Sequence, residues 1–263
     1  MTGSEIGLRP VVVKVGGSML GSHDTSLRDI ADARRDGRAM VVVHGGGAAI
    51  SEWLATTGIK PIFVRGLRVT DAATLEVVVA VLAGAVNKRL VAELAALGAP
   101  AIGLSGADAM ILQARRYDEE LGFVGKIHRV NPYAIEELLR LGHLPVIAPI
   151  ALETDAPGAQ LLNTNADTAA GEIAAALKAE RLVFLTDVDG VLDADGRVIS
   201  RLTAAEANAL IASGVVGGGM IPKLEAAVRA ASAGCATSIA GGTTPGVLAR
   251  VLAGGESGTT VEP

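Results

Sequence analysis

Short runs of β-branched and aliphatic residues alternate along this chain with longer segments whose apolar positions recur at helical spacing. Residues 10–15 read as an apolar strand interrupted only by Lys14, leading into Gly16, Gly17 and Ser18. Residues 24–36 predict a helix, 39–43 a second buried strand ending in His44 and three glycines, and 48–57 a short helix. Thr70 and Asp71 predict the cap of a long helix reaching about Leu97, with Gly98 as its stop; the apolar stretch 77–86 within it reads as buried. Residues 101–104 predict a strand and 110–130 a β-hairpin excursion. Asn131 and Pro132 open a helix to about Leu141, followed by a strand at 144–148, a helix at 165–179 and a strand at 182–185. Helices near 203–213, 219–233 and 244–253 and strands near 236–240 and 259–261 complete the pattern. Buried strands alternating with helices predict an α/β fold, a mostly parallel open sheet covered on both faces. A soft boundary near 179–181 divides the chain into two lobes, 1–179 and 180–263, facing one cleft.

Half the chain is apolar, yet it holds 3 Phe, 2 Tyr and 1 Trp, so the core must be built from Ala, Val, Leu and Ile. No apolar run approaches the ~18 residues of a membrane span, and the N-terminus lacks the basic start and apolar stretch of a signal peptide. The expectation is a cytoplasmic protein with no membrane partner. The single cysteine, Cys235, excludes a disulfide framework and a cysteine-based zinc site, and reads as a small core residue. A net charge of −5 argues against a nucleic-acid partner.

The chemistry is first narrowed by absences. There is no P-loop pattern, and no G-x-G-x-x-G follows a strand, which disfavours a nicotinamide dehydrogenase. Residues 187–196 have the acidic spacing of a calcium loop but lack an oxygen ligand at its fifth position and the terminal Glu, so they read as two turns around a short strand. His23, His44, His128 and His143 show no ligand spacing and read as solvent-facing or structural. Lys14 reads either as a strand-end lysine snorkelling to water or as an ammonium at the C-terminal sheet edge, where open α/β sheets bind ligands. Gly45, Gly46 and Gly47 offer bare N–H groups to an anion, although a plain tight turn explains them as well. Lys223 lies just inside a helix that begins from a glycine run, and Asp167 lies at a helix start between polar groups.

Nine segments then fall into one register: VKVGGS (13–18), VVHGGG (42–47), GLRVTD (66–71), VNK (86–88), GLSGAD (103–108), VIAPI (146–150), NTNADTAA (163–170), LTDVDGVL (185–192) and GGGMIPKLEAA (217–227). In order and spacing they resemble the N-acetylglutamate kinases of arginine biosynthesis, over nearly the whole chain. The resemblance implies a three-layer αβα sandwich, the amino-acid kinase fold, with an N-terminal lobe for acetylglutamate and dimerisation and a C-terminal lobe for ATP. It implies phosphorylation of the side-chain carboxylate of N-acetyl-L-glutamate, with Lys14 and Lys223 as transition-state stabilisers and Asp167 holding both ammonium groups. Gly46, Gly47, Arg68 and Asn163 match acetylglutamate contacts. Gly16, Gly17 and Gly46 match donors to the phosphoryl oxygens. Thr186, Asp187, Gly217, Gly218, Gly219, Met220 and Pro222 match the nucleotide site. Mg²⁺ is expected on the ATP phosphates, with no protein metal site.

Two rivals share the fold. A kinase for a carrier-bound aminoadipate or glutamate departs at GLRVTD and N-x-N-A-D, both intact here. A non-catalytic ligand-binding regulator is expected to lack Lys14, Asp167 or Lys223, all present. The arginine-inhibited branch of the family carries an N-terminal helix that interlaces dimers. Met1–Arg9, with Gly3 and Gly7, are too few for an isolated helix, which needs roughly 12–15 residues. That branch also carries a glutamate where Arg250 stands here. These features give the expectation of a homodimer insensitive to L-arginine.

Overall fold

The computed structural model describes residues 9–16, 25–155, 158–255 and 257–263. Strand β1 (Val11–Val15) is buried along its whole length. Helix α1 (Ser26–Arg35) buries Leu27, Ile30 and Ala31 and ends in Arg34 and Arg35, cations that suit the negative end of its dipole. Strand β2 (Met40–His44) leads through Gly45 and Gly46 into α2 (Gly47–Thr56). Next comes a hairpin too short to register in sequence periodicity, β3 (Phe63–Val64) and β4 (Leu67–Arg68). Its two turn residues, Arg65 and Gly66, both take positive φ (51° and 79°), the backbone a two-residue hairpin demands.

The expected long helix begins at Asp71, whose carboxylate accepts the Thr74 N–H at 2.8 Å. It runs as α3 (Ala72–Val79), a π-helical segment (Ala80–Val86) and α4 (Asn87–Ala96), before Gly98 turns the chain at φ 84°. The reading of 77–86 as buried needs correction: Val78, Val81, Leu82 and Val86 are buried, whereas Ala80 and Ala85 are exposed. The helix lies on the sheet by one face only.

Strands β5 (Ala101–Ser105), β6 (Leu112–Arg116) and β7 (Gly125–Val130) precede α5 (Tyr133–Arg140) and β8 (Leu144–Ala148). Two short strands outside the sequence reading, β9 (Ile150–Glu153) and β10 (Leu161–Asn163), lead to α6 (Ala166–Ala176). The C-terminal part comprises β11 (Arg181–Thr186), β12 (Arg201–Thr203), α7 (Ala204–Ala212), α8 (Met220–Ala231), β13 (Ala236–Gly241), α9 (Val247–Leu252) and β14 (Thr259–Glu262). A Thr203–Glu206 capping box starts α7.

One 8-stranded sheet, in the order β12-β14-β13-β11-β1-β2-β8-β5, draws strands from both halves of the chain. Its pairings are parallel except β13 with β14. A second sheet, β10-β9-β6-β7, carries the predicted 110–130 hairpin. The period of two along the central strands sorts the core into two layers. Val12, Val41 and Val43 pack with Ile173, Leu224 and Ala227 of α6 and α8. Val11, Val13, Val15, Met40 and Val42 pack on the other face with Ile30, Leu54, Val78, Leu90 and Leu248. The result is the three-layer αβα sandwich. Cys235 is buried in the first layer, where burial pushes its thiol up to about 11.

Candidate active site

Alternation on β1 gives Lys14 the same face as Val12, toward α6 and α8, at the C-terminal end of a central strand. On α6 the Asn165 side chain caps the helix, accepting the N–H groups of Asp167 (2.8 Å) and Thr168 (3.0 Å). Asp167 therefore sits in the first helical turn, where the dipole favours a carboxylate. One turn further, Gly171 lets α8 approach closely: a Cβ at Gly171 would lie 2.9 Å from the Ala226 Cβ. That contact seats the first turn of α8, and Lys223 with it, beside Asp167. The carboxylate then joins two cations, Oδ1 to Lys14 Nζ at 2.7 Å and Oδ2 to Lys223 Nζ at 3.1 Å. Lys223 also donates to the Gly219 carbonyl at 3.2 Å. The side chains of Lys14, Asp167 and Lys223 are 9%, 7% and 15% exposed. Two ammonium groups share one carboxylate in a nearly dry place, which leaves a net positive charge aimed at whatever enters.

A second group forms around the N-terminus of α2. Gly46 is its N-cap and supplies no capping side chain. Arg68 is buried even though β4 has only two residues. Its Nη2 donates to the Gly47 carbonyl and to Ser51 Oγ, both at 2.9 Å, and its guanidinium lies 4.8 Å from the centroid of the Phe63 ring. Its Nη1 is buried without a partner, and burial holds its pKa below the ordinary arginine value. An arginine fixed along one edge, with donors to spare on the other, is suited to a carboxylate. Thr70 Oγ1 donates to the Arg68 carbonyl (2.8 Å) and accepts from Asn163 Nδ2 (3.1 Å), so Gly47, Arg68 and Asn163 belong to one hydrogen-bonded chain.

The residues expected around the nucleotide are more dispersed. Thr186 ends β11, next to β1, and is buried with its hydroxyl turned back to the Val188 backbone, while Asp187 is exposed. Gly217 and Gly218 are exposed; a Cβ on either would meet nothing within 4 Å, and Gly218 takes φ 54°. Met220 is half-buried against the core. Gly218, Gly219 and Pro222 line, with Asp167, a cavity of about 810 Å³. Lys14, Gly46, Gly47, Arg68, Thr186 and Asp187 are not part of its lining. Gly16 directly follows β1, and Gly17 lies outside the described residues. The facing wall, Arg65, Leu67, Tyr117 and Lys126, comes from the β3–β4 hairpin and the second sheet, and sequence reasoning did not anticipate it. Asn165 was also missed, although an Asn just before a helical run is a capping signal. Among the described residues no group of three or more His, Cys, Asp or Glu side chains is placed to hold a metal ion.

The amino acid kinase family model matches residues 9–241. An acetylglutamate kinase of Dehalococcoides mccartyi is 46% identical over 95% of this chain and 93% of its own length. One from Synechococcus elongatus is 46% identical over 86% of this chain and 76% of its own. Among solved structures, the smu.665 protein of Streptococcus mutans superposes with a TM-score of 0.82 at 29% identity, over 96% of this chain and 98% of that one. An N-acetylglutamate synthase of Neisseria gonorrhoeae, crystallised with coenzyme A and N-acetyl-glutamate, superposes with a TM-score of 0.83 at 26% identity, over 97% of this chain and 59% of that one. The chain belongs to the amino acid kinase family, in its acetylglutamate kinase branch.

Proposed function

We propose that the chain transfers the terminal phosphoryl group of ATP to the side-chain carboxylate of N-acetyl-L-glutamate, giving ADP and the acyl phosphate, a step of arginine biosynthesis. The observation that carries this reading is the buried Lys14–Asp167–Lys223 cluster. A carboxylate is already a nucleophile and needs no general base. Its difficulty is approaching an anionic phosphoryl group, and two ammonium groups held by one carboxylate answer that difficulty. An oxygen of the acceptor bonds to the γ-phosphorus as the bond to the ADP oxygen breaks, and the charge spread over the phosphoryl oxygens falls to Lys14 and Lys223. Asp167 keeps both cations in place and, by sharing its charge, stops them repelling each other.

Arg68, with its spare buried Nη1, grips the α-carboxylate that does not react, assisted by Gly46, Gly47 and Asn163. Gly16, Gly17 and Gly46 donate to the phosphoryl oxygens. Thr186, Asp187 and the loop Gly217, Gly218, Gly219, Met220 and Pro222 receive the nucleotide, the bare glycines giving its phosphates room. Mg²⁺ enters on those phosphates. In this reading residues 1–179 bind the amino acid and 180–263 the nucleotide, across the ends of one sheet. The exposed apolar side of α3 and the π segment pairs two copies into a homodimer, and the enzyme works in the cytoplasm. No described helix is long and apolar enough to cross a membrane.

A coupled ADP assay tests the reading, with acetylglutamate, glutamate, aspartate or no acceptor and with hydroxylamine to trap the acyl phosphate. Acetylglutamate-dependent ADP release with hydroxamate is expected. Equal release without acceptor would sink the assignment.

A further inference from the structure

Beneath the glycine loop lies a buried polar pair that the phosphoryl transfer just described leaves unused. His44 ends β2 on the face of Met40 and Val42, and is 1% exposed. Its Nε2 is 3.1 Å from Asn87 Nδ2 and its Nδ1 is 2.9 Å from the Gly45 carbonyl. Asn87 is itself fully buried, and the π segment brings it there. Val81 and Val86, and Leu82 and Asn87, stand five residues apart yet share the buried side, as the i→i+5 closure of a π turn permits. Glycines make the room. A Cβ at Gly103 on β5 would lie 1.9 Å from Asn87 Oδ1, and one at Gly46 would lie 2.5 Å from Leu82 Cδ2.

The proton positions follow from the partners. Asn87 Nδ2 reaches the carbonyls of Val146 (3.0 Å) and Leu104 (3.3 Å), which only accept, so that atom is the amide nitrogen. Asn87 Oδ1 correspondingly accepts from Lys88 Nζ at 3.2 Å. The imidazole Nε2 faces a donor and must be the lone-pair nitrogen, which puts the ring proton on Nδ1, donated to Gly45. Burial lowers the His44 pKa to about 4, helped by the charge of Lys14 and opposed by the bond to Gly45. Burial thus favours the neutral ring.

We propose that His44 is a positioning residue: by holding the Gly45 carbonyl it sets the Gly46 N–H that meets the transferring phosphoryl group. The Gly45–Gly46 peptide is planar and trans, so its C=O and N–H point in opposite directions and fixing one fixes the other. A peptide between two glycines has little else to stop it turning over. Gly45 N–H is tied to the Val15 carbonyl at 3.1 Å, which places this peptide at the strand end next to Lys14. The relay from Asn87 through His44 to Gly45 thus keeps an anion-binding helix start in its donating orientation.

The inference rests on the kinase reading, and the test separates the two. Wild type, H44L and H44N are assayed together with acetylglutamate and ATP, and the wild-type imidazole is examined by ¹⁵N NMR. H44L is expected to lose about 10- to 100-fold in kcat, with a smaller rise in KM for acetylglutamate, which Gly46 also meets in this reading. H44N, whose amide takes the place of Nδ1 and still donates to Gly45, is expected to recover to within about fivefold of wild type. The NMR spectrum is expected to show the proton on Nδ1. Equal kcat in H44L and wild type, H44N as slow as H44L, or a proton on Nε2 overturns the relay. If H44L does not fold, H44N and the tautomer decide. A wild type without acetylglutamate-dependent turnover overturns the kinase reading instead.

Discussion

Lys14 and Lys223 occupy equivalent places on one carboxylate, yet they reach it from a strand and from a helix of opposite halves of the chain. Their charge is best used on the transition state, so Lys14→Ala and Lys223→Ala should each lower kcat by about 10²- to 10³-fold. Arg68→Ala removes grip on a group that does not react and should raise KM for acetylglutamate by about 10- to 100-fold with kcat little changed. Steady-state kinetics on the three variants separates these effects, and an unchanged KM in Arg68→Ala would misplace the α-carboxylate. His44 makes a second prediction at this scale. Its folded pKa is about 4 against an ordinary 6.5, so as pH falls through that window the unfolded chain takes up a proton that the folded chain refuses. His44 therefore costs no stability above about pH 6.5, and below it removes stability progressively, by at most about 3 kcal/mol near pH 4. Urea midpoints should fall more steeply with acid in wild type than in H44N. Parallel slopes would show that the ring takes up its proton in the fold.

At the scale of elements, the contact of α6 with α8 sets the geometry of the site. Gly171 meets the Ala226 Cβ, carbonyl and Cα at 2.9, 2.9 and 3.0 Å from where its own Cβ would stand, so even a methyl group forces the helices apart. Gly171→Ala should cost about 1–3 kcal/mol through overpacking. Because Lys223 rides on α8, the same change should lower kcat more than KM. Denaturant melts with kinetics on the folded variant check both, and a destabilised enzyme with wild-type kcat would show that the cluster does not depend on this packing. Legibility also divided by element. The strands β1, β2, β8 and β11 were readable because burial on both faces makes each a nearly continuous apolar run. β3, β4, β9, β10 and β12 have two to four residues, too few for a period, and exist through their pairing partners. The π segment left no sequence signal either, since its register is decided by what Leu82 and Asn87 must meet.

For the whole molecule, Ala72, Ala73, Ala80 and Ala85 present small apolar side chains outward, beside the exposed Glu76, from a helix whose other face packs on the sheet. Against a second copy, related by a two-fold axis, they would form an isologous contact. Sedimentation should give twice the chain mass of 26.5 kDa for wild type and a monomer for Ala80→Glu, with turnover retained. A monomeric wild type would remove the dimer.

The sequence by itself determined the α/β class, the central strands, most helices, and the residue types available for the chemistry, because burial on both faces, caps and glycine stops act locally. It also supplied Lys14 without choosing between a snorkelling lysine and a buried ammonium. Tertiary structure made that choice. The period of two on β1 turns Lys14 toward α6, the Asn165 cap presents Asp167 there, and Gly171 admits α8 close enough for Lys223 to close the cluster. None of the three side chains is near another in sequence, so only the crossing of two helices over one sheet makes them a site.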